Sequence, residues 1–96
     1  MIVYIAGRVT GIPREQAREK FIKAEFILKR KGYTIINPVT LVNPSYPWQR
    51  AMRICLKKLL DADAIFLLSD WKQSKGAKVE RWIAKLLGIK IMEEVV

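Results

Sequence analysis

The first six residues, Met1-Ile2-Val3-Tyr4-Ile5-Ala6, form a nearly unbroken apolar run, and a strand without polar alternation must be covered on both faces. That requirement points to a central parallel strand with helices packed on either side. The rest of the chain supplies the pieces. After the glycine-punctuated loop 7–13, Ala17, Phe21, Ala24 and Leu28 recur at helical spacing, which predicts a helix from about Arg14 to Lys31 with Gly32 as its stop. Tyr33–Ile36 reads as a second strand. The two Asn-Pro steps, Asn37-Pro38 and Asn43-Pro44, predict a long loop held in extended conformations. Loops of that length either carry function or form an ordered structural connection.

A second helix is expected from near Pro47 to about Asp61, with Trp48, Met52, Cys55, Leu56 and Leu59 on one face. Asp63–Leu68 reads as the third strand. Lys75–Leu87 reads as the third helix, with Val79, Trp82, Ile83, Leu86 and Leu87 as its buried stripe and Glu80 at the edge of that stripe. Gly88 leads into a last strand, Ile89–Met92. The order βαβαβαβ predicts a three-layer α/β/α sandwich on a four-stranded parallel sheet with right-handed crossovers. With strand order 2-1-3-4 the architecture is flavodoxin- or Rossmann-like, and its ligand crevice lies beyond the carboxyl ends of the first and third strands.

With 96 residues, 51% of them hydrophobic, the chain is expected to form one domain, 1–96. No apolar run approaches the ~20 residues of a membrane span. Absence of a signal-peptide layout points to a cytoplasmic location. Cys55 is the single cysteine and histidine is missing altogether. Disulfide frameworks, zinc clusters and Ser-His-Asp chemistry are therefore excluded, and neither a metal nor a cofactor is expected. Catalysis must use carboxylates, hydroxyls or lysines. A formal charge of +9 suits an anionic partner, whether nucleic acid, nucleotide or acidic protein, and equally a well-solvated basic surface.

The crevice rule sorts the acids. Asp70 and Glu80 fall at the crevice end, whereas Asp61 and Asp63 fall at the far end of the strand, about 20 Å away, and read as structural. Ser74 reads as the N-cap of the third helix, where free amides favour a phosphate or another anion. Gly76 is read as leaving open space above Glu80. Gly7, Arg8 and Lys75 face the same region, the two cations placed to neutralise a phosphate, and Tyr46, Trp48 or Trp71 can stack on a base.

Together Tyr4-Ile5-Ala6-Gly7, Asn37-Pro38, Asp63-Ala64-Ile65, Trp71, Ser74, Gly76-Ala77 and Glu80 resemble the nucleoside 2-deoxyribosyltransferase-like superfamily, in particular its small branch. The resemblance implies an enzyme that acts on an N-glycosidic bond of a nucleoside or nucleoside 5′-monophosphate, and a homo-oligomer. It makes Glu80 the nucleophile and Tyr4 a tyrosine beside it. Ser74 and Gly76 match positions that hold a 5′-phosphate in related hydrolases. Asp70 is the available acid for the departing base, provided that burial raises its pKa. Plainer readings stand beside these: Glu80 as a first-turn acid favoured by the helix dipole, Asp70 as a cap or solvated turn, Trp48 and Tyr4 as core, Arg8 as a loop cation. Cys55 departs from the pattern, since relatives usually carry aspartate there. This leaves a second function in view, a non-catalytic nucleotide-sensing or nucleic-acid-associated module. A third, assembly, requires Trp71 or Trp82 to lie outside the core.

Overall fold

A computed structural model of the chain describes residues 1–95. Four strands, β1 (Ile2–Ala6), β2 (Thr34–Ile36), β3 (Ala64–Leu67) and β4 (Lys90–Glu93), alternate with α1 (Arg14–Arg30), α2 (Pro38–Leu41), α3 (Trp48–Leu59) and α4 (Lys75–Leu86). The strands pair in parallel in the order β2-β1-β3-β4. Tyr4 lies opposite Ile36 on one side and Ile65 on the other. This is the Rossmann-like architecture that the element order predicts. Among the described residues no helix is long and apolar enough to cross a membrane.

Alternation along β1 divides the core into two layers. Val3 and Ile5 pack with Phe21, Ala24 and Leu28 of α1, while Tyr4 and Ala6 pack with Cys55 and Leu59 of α3 and Ala77 and Ala84 of α4. Phe21, Leu28, Leu59 and Ile65 are fully buried. Side chains of this size contribute roughly 1.5–3 kcal/mol each on burial. The inner face of α1 is the predicted one, Ala17, Phe21, Ala24 and Leu28. Beyond its last turn Gly32 adopts φ +91°, a conformation that costs other residues a steric penalty.

Three expectations need correction. The buried face of α4 is Ala77, Glu80 and Ala84, whereas Trp82 and Leu86 are 63% and 66% exposed and Leu87 is exposed as well. Small residues let this helix sit close to the sheet; of the predicted stripe Val79 and Ile83 are partly buried, Ile83 against the core, and the other three lie outside. Glu80 consequently moves from the edge to the middle of the buried face. Second, the first Asn-Pro step starts a helix: Asn37 Oδ1 accepts from the Val39 amide at 3.1 Å, and Pro38 occupies the first turn of α2. Third, Gly76 does not open space. A Cβ there would sit 3.0 Å from Met52 Sδ, so this glycine permits the close approach of α3 and α4.

Candidate active site

Both central strands end at the same edge of the sheet. β1 runs into the loop 7–13, and β3 runs through a short 3₁₀ turn, Trp71–Gln73, to Ser74. Close approach of the two ends requires Gly7, whose Cβ would fall 2.7 Å from Leu68 Cδ1. Ser74 caps α4: its Oγ accepts from the Ala77 amide at 3.1 Å, while its carbonyl accepts from Lys78 at 3.0 Å. Capping fixes the first turn of α4, and the next turn carries Glu80.

Glu80 is 5% exposed and Tyr4 is wholly buried. The Tyr4 hydroxyl donates to Glu80 Oε2, joining β1 to α4. Burial lifts the Glu80 carboxyl to about 7, and the tyrosine hydrogen bond, which favours the ionised form, pulls the other way. Tyr4 is raised well above its ordinary value by burial first and by the Glu80 charge second, so it stays a donor. Cys55 lies beside the pair, and burial pushes its thiol up to about 11.

The pair faces a cleft of about 1060 Å³. Ser74, Lys75, Gly76 and Glu80 form one wall, Gly7, Val9 and Thr10 a second, and Tyr46, Trp48 and Met52 a third. Arg14 and Arg18 of α1 also line it. Glu80 is the only carboxylate among the lining residues, so the cleft carries an excess of positive charge. The Lys75 ammonium stands 4.4 Å from the centre of the Trp48 ring, and the Arg50 guanidinium 4.0 Å from that of Tyr46. Contacts of this kind contribute about 0.5–1 kcal/mol at exposed sites. Here the first of them links the starts of α3 and α4.

Tyr4, Gly7, Ser74, Lys75, Gly76 and Glu80, all singled out from the sequence, therefore meet at one cleft. Asp70, Arg8 and Trp71 do not line it. Asp70 accepts from the Arg8 amide through Oδ1 at 3.1 Å and pairs with Lys20 through Oδ2. The Arg8 guanidinium turns to the Thr10 carbonyl and the Gln73 side chain. Trp71 is half-buried against the Tyr4 layer of the core, with Arg81 5.0 Å above its ring. Trp48, for which stacking and core readings both stand, is in the cleft wall. Sequence reasoning did not single out Arg14, Arg18 or Thr10. A signal for the two arginines was present, because they flank Ala17 at the start of a helix that leaves the crevice loop.

A parallel β2-β1-β3-β4 sheet flanked by helices defines an α/β fold of the nucleoside 2-deoxyribosyltransferase-like kind. A solved structure of the 2-deoxyribosyltransferase from the psychrotolerant bacterium Bacillus psychrosaccharolyticus matches with a TM-score of 0.75, over 100% of this chain and 77% of that one. Identity is 20%, so the likeness is one of fold. The model of the family described as Domain of unknown function (DUF4406) matches residues 1–93, and the chain belongs to that family. No curated protein matches the sequence.

Proposed function

We propose that the protein binds a nucleoside or nucleoside 5′-monophosphate in this cleft and acts on its N-glycosidic bond, by hydrolysis or deoxyribosyl transfer, with Glu80 as nucleophile. One observation carries the reading: a buried carboxyl faces the cleft with only Oε2 engaged, by Tyr4, and Oε1 makes no hydrogen bond among the described residues. In the first step Oε1 bonds to the anomeric carbon as the carbon–nitrogen bond breaks. The electron pair leaves on the base, which takes a proton from water. Water, or a second base in transfer, then attacks the same carbon and releases the carboxylate; the attacking water or base gives up one proton, which neutralises the hydroxide left by the first step. Tyr4 orients the nucleophile. Ser74, Lys75 and Gly76 at the start of α4 suit an anionic group, and the cationic side chains of Arg14 and Arg18 favour a phosphorylated substrate. A cytoplasmic location and, on resemblance, a homo-oligomer are part of the same proposal.

The test is incubation with 2′-deoxynucleosides and their 5′-monophosphates while free base is followed by chromatography. Wild-type protein is expected to release base, and Glu80→Ala to lose about a thousandfold or more of that rate. Release that survives Glu80→Ala removes the mechanism. A second reading, a non-catalytic nucleotide-binding module, is favoured by the lone carboxylate and by the protonated Cys55 thiol beside it. It predicts nucleotide-dependent thermal stabilisation without base release. Its nucleic-acid variant predicts salt-steep binding that is indifferent to Glu80.

A further inference from the structure

Around the peptide of Arg8 the structure closes a ring of three polar contacts. The Arg8 amide donates to Asp70 Oδ1 at 3.1 Å, Lys20 Nζ donates to the Arg8 carbonyl at 2.8 Å, and Lys20 pairs with Asp70 Oδ2. The three residues come from different parts of the chain, the crevice loop, the second turn of α1 and the segment after β3, with Asp70 50 positions after Lys20. Both side chains are about three-quarters covered, at 25% and 23% exposure. Charge-assisted bonds at such depth hold geometry better than open surface pairs do.

The clasped peptide sits between Gly7 and Val9, which both line the cleft, and the Arg8 side chain extends the tie to Thr10 and Gln73, which line it too. The loop carries glycine at both ends of its turn, with Gly11 at φ +87°, and such a segment has many conformations to lose on ordering. We propose that Lys20 and Asp70 are positioning residues: they hold the 7–13 wall against the β3–α4 wall at the spacing a bound nucleoside requires, and neither transfers a proton to it. The proposal rests on the nucleoside reading for the identity of the ligand, and on the clasp alone for its mechanical part.

The variants Lys20→Met and Asp70→Asn, alone and combined, test it with deoxynucleoside 5′-monophosphates as probes. Each single variant is expected to raise KM about tenfold, the loss of a charge-assisted contact, with kcat kept within about threefold. The double variant is expected to do no more than either single one, since the contacts act as a unit. Amides of residues 8–12 should exchange hydrogen faster in all three, with those of β1 and β3 unchanged. Loss of kcat in Asp70→Asn with Lys20→Met silent would overturn the proposal and make Asp70 the proton donor. Unchanged loop exchange, or a loss of protection spread over the whole chain, also overturns it. Should wild-type protein release no base, the glycosidic reading fails, while loop exchange and nucleotide titration still decide the clasp.

Discussion

The phenol of Tyr4, in the middle of the central strand, donates a hydrogen bond to the carboxylate of Glu80, 76 residues later on the last helix. Both side chains are buried, and the carboxyl has been moved from the acidic range to about 7 by loss of water. A nucleophile must be ionised. Base release should therefore climb as pH rises through about 7 and level off above it. Tyr4→Phe removes the bond that favours the charged form, so the midpoint should move to higher pH. A rate profile flat from about pH 5.5 to 8.5 would argue against Glu80 as the titrating group.

Stability should depend on the same proton. The folded state holds it up to about 7, whereas the unfolded chain releases it near 4.5. The contribution is complete below 4.5 and is lost as pH climbs to 7; at about 1.4 kcal/mol per pH unit this amounts to roughly 3 kcal/mol. Urea unfolding of wild-type protein across this window should show the loss, and Glu80→Gln, which cannot ionise, should lack it. Equal pH slopes in the two proteins would contradict the burial of a titrating carboxyl.

Two glycines of the site are separable by how hard their neighbours are. Gly7→Ala drives a methyl to 2.7 Å from Leu68 Cδ1 and 2.9 Å from its Cβ, whereas Gly76→Ala meets the thioether of Met52 at 3.0 Å. Leu68 is fully buried and its amide is bonded to the Ala6 carbonyl; the methionine chain can swing. Thermal unfolding should show a loss of about 1–3 kcal/mol for Gly7→Ala and less for Gly76→Ala. The reverse order would mean that the helix contact is the tighter one.

Cys55 should be a poor nucleophile. With its thiol at about 11, the thiolate is scarce at pH 8, and labelling by a disulfide reagent should run at least about a hundredfold slower than for free cysteine. A bound nucleotide should slow it further, since the residue lines the cleft. Rapid labelling would show a more open cleft.

Much of the fold was legible because periodicity and punctuation agreed. In α1, Ala17, Phe21, Ala24 and Leu28 are both the apolar residues at the right spacing and the buried ones. In α4 the two separated: the helix buries two alanines and an acid, and hydropathy alone points to Trp82 and Leu86. Glu80 was found through its place after β3, and its depth came from the smallness of Ala77 and Ala84. Asp70 was found at the correct end of the sheet, but nothing near it in sequence signals Lys20, 50 residues away on another element. Asn37 shows the opposite case. Its pairing with Pro38 is a local signal for a helix start, and a reading that took proline only as a restraint on the preceding residue missed it.

The most direct test of the account is to incubate the protein with a slowly turned-over 2′-fluorinated deoxynucleoside, or its 5′-monophosphate, and map any covalent adduct by peptide mass spectrometry. One added sugar is expected on the peptide that contains Glu80, with released base in equal amount and no adduct in Glu80→Gln. An adduct on another residue, or base release in Glu80→Gln at the wild-type rate, would contradict it.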